Sequence, residues 1–124
     1  MKKILLMLAF ILTAGIVCAA NQPKMTGKVL RHGETYLDFS STNKGVYSFS
    51  DGSETITRTF TWSAKLMMQQ KNYSDGPVYK WQITVKIVMS YGTKELKFYV
   101  DAYEDGSLRG NSFLCSDGSN WTLV

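Results

Sequence analysis

The stretch that decides the fold runs from Tyr47 to Trp62, YSFSDGSETITRTFTW. Ile56, Arg58, Phe60 and Trp62 alternate with Thr55, Thr57, Thr59, Thr61 and Ser63. A period of two marks a strand with one face in a core and the other in water. Threonine suits the wet face, because its β-branched side chain fits a pleated surface while its hydroxyl stays hydrated. Upstream, Val46–Ser50 carries Tyr47 and Phe49 on one face, and Asp51-Gly52 joins the two runs. Asp-Gly predicts a two-residue hairpin turn with both residues at positive φ.

Working outward, Ser41–Gly45 reads as a turn, Glu34–Ser40 as a strand and Met25–Arg31 as a first strand ended by His32-Gly33. Asn21–Lys24, with Pro23, reads as a short tether. Downstream, Ala64–Lys71 is rich in good helix formers, yet it is short and flanked by strands, so a strand is expected. In Val78–Tyr91, Tyr79, Trp81, Ile83, Val85, Ile87 and Met89 alternate with Lys80, Gln82, Thr84 and Lys86. Lys94–Tyr103 alternates again, and Leu108–Cys115 and Asn120–Val124 complete the set. Asp-Gly pairs at 51-52, 75-76, 105-106 and 117-118 punctuate the chain. Short connections make consecutive strands antiparallel neighbours. The expected fold is therefore all-β: an antiparallel up-and-down meander of about eight strands, as a small barrel. The strands are expected to be short, and such a barrel is filled by its own side chains.

The first residues belong to something else. Met1-Lys2-Lys3 is basic, Ile4–Val17 is largely apolar, and Val17-Cys18-Ala19 places small residues around a cleavage position. Residues 1–19 are read as a secretory signal peptide, with residues 24–124 as a single β-barrel domain. The apolar run falls short of the ~20 residues of a membrane span. Export to the periplasm or the cell exterior follows. A lipid anchor at Cys18 is the weaker alternative, since Val17 and Gly15 fit a lipoprotein signal poorly. Cleavage after Ala19 or Ala20 leaves Cys115 alone, read as a buried small hydrophobe with no disulfide partner. Without Lys2 and Lys3 the formal charge falls from +4 to +2, too balanced to argue for nucleic acid. The membrane enters only through the leader or that anchor.

YLDFSSTNKGVYSF, Tyr36–Phe49, and FTWS, Phe60–Ser63, resemble the lipocalin-like domain of small exported bacterial proteins. The matching residues are Leu37, Phe39, Gly45, Tyr47, Phe60 and Trp62, about a quarter of the chain with its flanks. Thr26-Gly27-Lys28 stands where lipocalins carry Gly-x-Trp. The resemblance implies a barrel and carries no catalytic residue.

Arg58 shares the apolar face with Ile56, Phe60 and Trp62. A guanidinium keeps its charge, so it either packs its stem at a barrel mouth or grips an anionic ligand group inside. Arg58, Trp62 and Trp81 are accordingly the candidate ligand-binding residues, for a small apolar or amphipathic ligand held by burial. Core packing is the plainer role for the tryptophans. No catalytic set, cofactor motif or metal site is expected: His32 is the only histidine, and the Asp-Gly aspartates serve turns. The rival function is a surface or assembly protein that binds a protein or glycan partner on its outer face, with Tyr99 and Tyr103 exposed there. An outer-membrane barrel is a third reading, for which the expected strands are too short.

Overall fold

The computed structural model describes residues 21–74 and 76–124, with the side chains of residues 69–73 outside that description. The expected signal peptide, Cys18 and Asp75 lie outside the described residues. Eight strands form a closed antiparallel barrel in chain order. They are β1 (Val29–His32), β2 (Thr35–Asp38), β3 (Lys44–Ser50), β4 (Thr55–Tyr73), β5 (Gly76–Met89), β6 (Gly92–Tyr103), β7 (Leu108–Cys115) and β8 (Asn120–Leu123). β8 returns to β1 through Leu30↔Leu123 and Arg31↔Thr122, which closes the ring. No helix occurs among the described residues. The all-β up-and-down meander read from the alternation is the fold.

Alternation also names the inward face correctly. Phe60, Trp62, Trp81, Ile83, Val85, Ile87, Leu96, Phe98, Val100 and Ala102 are all buried, whereas Thr55, Thr57, Thr59, Thr61 and Ser63 are exposed. Phe39 meets Phe60 and Trp62 edge-on at 5.2 and 5.5 Å between ring centres, and Phe98 meets Trp121 at 5.4 Å. Such T-shaped pairs satisfy the ring quadrupoles while filling space. Cys115 is buried and free.

Four expectations are corrected. First, the strands are not all short. β4 has 19 residues, β5 14 and β6 12, and β4 absorbs register shifts against β5 near Met67 and again after Gln69. Ala64–Lys71 is part of β4, because pairing with β5 overrides its helix propensity. Second, the Asp-Gly turns at 51-52, 105-106 and 117-118 are not two-residue turns with both positions left-handed. No described non-glycine residue has positive φ. In the Asp105 loop the Gly106 N–H donates to Tyr103 O and the Tyr103 N–H to Ser107 O, with Gly106 at φ 90°. The same pattern recurs from Cys115 to Ser119. These are three-residue loops with a left-handed glycine bulge.

Third, the first strand starts at Val29, not Met25. The Lys28 N–H donates to Met25 O across a turn with Gly27 at φ 86°, and this swings Met25 into the core at 0% exposure. Asn21 and Lys24 donate backbone hydrogen bonds to Glu104 and Gly106. The supposed tether is thus fastened across the β6–β7 loop, with Pro23 buried beneath it. Fourth, Tyr99 and Tyr103 are half-buried rather than exposed. The large apolar residues that reach solvent are Met67, Met68, Val88, Tyr91, Leu114 and Val124.

Candidate functional site

Arg58, Trp62 and Trp81 share the inner face but do not converge. Arg58 and Trp62 lie four residues apart on β4. Trp81 pairs with Leu66, four residues further along the same strand. At about 3.3 Å per residue the steps are ~13 Å each, so Arg58 and Trp81 stand ~26 Å apart along the strand. Arg58 is half-buried, opposite Tyr47, and its Nη1 donates to the Thr57 carbonyl at 2.9 Å. Among the described residues no carboxylate pairs with it. Half burial and a head bonded to the neighbouring backbone are the features expected of a residue at a barrel mouth.

Trp62 is buried, and Nε1 donates to Ser41 O at 3.2 Å. Trp81 is buried, and its Nε1 finds no acceptor among the described residues. Three concavities of about 440, 390 and 430 Å3 lie on the described surface, and none is lined by Arg58, Trp62 or Trp81.

The unusual feature is an edge. β3 pairs with β4 only as far as Lys44↔Thr61. The Trp62 N–H then donates to Asn43 O at 3.0 Å, the last backbone hydrogen bond on that side among the described residues. β4 runs on, paired among the described residues only with β5. In a strand, alternate residues direct N–H and C=O to the same side. Trp62 points its N–H toward β3, so Ala64 and Leu66 present theirs to the open side. Neither finds a partner there among the described residues. Beyond them Met67 and Met68 are 43% and 57% exposed. Just up β4, the 430 Å3 concavity is lined by Lys44, Val46, Thr59, Thr61 and Val88, among others.

The three Asp-Gly-Ser loops hold the best-defined polar geometry. Each aspartate Oδ1 accepts from the backbone N–H and the hydroxyl of the serine two residues on. The Ser107 and Ser119 hydroxyls hold Asp105 and Asp117 below the usual carboxylate range, and the Ser53 backbone N–H does so for Asp51. Asp51 and Asp117 lie at one end of the barrel and Asp105 at the other, so these carboxylates shape turns separately. Among the described residues no cluster of three metal-ligating side chains forms.

The sequence reading missed the edge residues Ala64, Leu66, Met67 and Met68. One signal was present: Leu66-Met67-Met68 interrupts the strict alternation that precedes it. No family model matches the chain, and neither a curated protein nor a solved structure matches it.

Proposed function

We propose that this is an exported, non-catalytic, lipocalin-like barrel that acts as an interaction module, meeting a macromolecular partner on its outer surface. One observation carries the reading. The inward rings pack against one another, while β4 continues past β3 with backbone groups that no described residue pairs and with two exposed methionines. Edge groups of this kind are what extended partners bind. The basic, apolar leader supports export, and the Leu37, Phe39, Gly45, Tyr47, Phe60 and Trp62 pattern supports the lipocalin-like kinship.

The test is photo-crosslinking in the native exported fraction. A reactive residue at position 67 is expected to trap a protein or glycan, and one at exposed Glu95 is not. Equal, weak labelling from both positions would sink the reading.

A second reading keeps the small apolar or amphipathic ligand inside the barrel, and Trp81 favours it. A buried indole N–H without an acceptor costs about 1–3 kcal/mol, which a ligand oxygen would offset. Native mass spectrometry of the exported protein separates the two. A retained mass below about 1 kDa, lost in Trp81→Phe, selects the interior; an unloaded barrel rejects it.

A further inference from the structure

We infer that the open edge of β4 receives an extended, acidic polypeptide segment by strand addition. The inference rests on the interaction-module reading and specifies its partner. Three observations converge on it. Ala64 and Leu66 offer backbone donors and acceptors at strand spacing, with no partner on that side among the described residues. The position is shaped for a strand: β3 stops at Lys44, so an added strand continues its line along β4 without displacing anything paired there. The side chains along the edge set the partner's chemistry. Ser63–Tyr73 carries Lys65 and Lys71 and no acidic residue, and Lys44 lines the concavity at the upper end.

The charges also argue against a second copy of this chain. A second copy would bring the same lysine-bearing, acid-free edge against itself. Like charges directly opposite each other destabilise a strand pair. Lysine on an edge is a common guard against self-association. The same lysines attract a strand bearing Glu or Asp at alternate positions. Met67 and Met68, flexible and polarizable, adapt to varied apolar side chains between those acids.

The probe is a fluorescent ten-residue peptide alternating Glu with Val and Thr, titrated against the exported protein by anisotropy at low salt. Its counterpart carries Lys in place of Glu. The Glu peptide is expected to bind at least about tenfold tighter, and to protect the Ala64 and Leu66 amides from hydrogen exchange. Ala64→Pro removes an edge N–H that no strand neighbour uses, so the barrel tolerates it. Binding is expected to fall at least about tenfold. Lys65→Glu provides a second variant and is expected to narrow or reverse the preference for the acidic peptide.

Equal binding of the two peptides overturns the inference, as does unchanged binding by folded Ala64→Pro. Dimerisation that displaces the peptide overturns it in favour of a second copy. A polypeptide or glycan crosslink at position 67 without preference for Glu ends this inference and leaves the interaction-module reading standing. Failure of the crosslink as well ends both.

Discussion

Gly45 tests the packing of the barrel most directly. It lies on β3 opposite Phe60 and faces inward. Its backbone needs no left-handed conformation, so space alone forbids a side chain. A Cβ at this position runs into the Phe60 ring and the Asp38 carbonyl oxygen, with Phe60 Cε1 at 2.6 Å. Neither obstacle yields easily. The Phe60 ring is 1% exposed and set edge-on to Phe39. Asp38 is the last residue of β2, and its carbonyl accepts the Ser40 N–H at 2.9 Å. Overpacking costs about 1–3 kcal/mol. With two confined obstacles, Gly45→Ala is expected at the upper end, about 3 kcal/mol. Against a total stability of about 5–15 kcal/mol this is a large fraction.

Urea unfolding followed by tryptophan fluorescence measures it. At a slope of about 2 kcal/mol per molar the midpoint falls by about 1.5 M, with the slope unchanged. A cycle with Phe60→Leu separates the two obstacles. The smaller side chain frees part of the space, so the double variant is expected to be more stable than additivity predicts by about 1 kcal/mol. The carbonyl clash remains, so rescue is incomplete. A Gly45→Ala protein within about 0.5 kcal/mol of wild type would refute the close approach of β2, β3 and β4 at this point.

Met25→Ala should cost about 2–3 kcal/mol in the same assay, because a fully buried methionine leaves a cavity under the N-terminal segment; an unchanged midpoint would show that segment 21–28 does not close the barrel. Arg58→Leu should change stability by less than about 1 kcal/mol, because its hydrogen bond is local and half-solvated; a larger loss would mean that it holds an interior charge network. The aspartates of the Asp-Gly-Ser loops have folded pKa values below their unfolded ones. Their contribution is therefore complete above the unfolded value near 3.8 and is lost as pH falls through the lowered folded values. Replacing Asp51, Asp105 and Asp117 by Asn should flatten the decline of the unfolding midpoint with acid below about pH 4; an unaltered acid profile would contradict the serine contacts.

What was legible followed from periodicity. Thr55–Trp62 and Trp81–Ile87 state their inner faces outright, because large apolar residues and hydrated ones take strict turns. What was not legible depended on distance along the chain. At Ala64–Lys71 the strand expected from its flanks does form, but what holds it against its helix propensity is pairing with β5, which sits beyond a turn. Asn21–Lys24 looked like a tether because Pro23 breaks regular structure. Its burial comes from Glu104 and Gly106, some eighty residues away in sequence. Asp-Gly marked where the loops fall but not their type. The following serine captures the aspartate, while the glycine alone takes positive φ. For the site, alternation put Arg58, Trp62 and Trp81 on the right face. It carries no information on height within the barrel, and height is what separates them.

Closure of a barrel removes sheet edges only where neighbouring strands match in length. Here a 7-residue β3 lies against a 19-residue β4, and the mismatch creates an edge inside a closed topology. Trp62 sets its position. Its backbone N–H holds Asn43 and its indole N–H holds Ser41, so the loop before β3 is clamped to β4 at this residue. Its ring simultaneously packs against Phe39, the last inward residue before that loop. One side chain thus fills the core and fixes where pairing with β3 begins. Ala64, two residues on, starts a strip whose edge hydrogen-bonding groups no described residue pairs, and Lys65 beside it adds positive charge. A shorter β4 would leave the barrel intact and remove this strip, so the physical case for a binding role rests on the overhang.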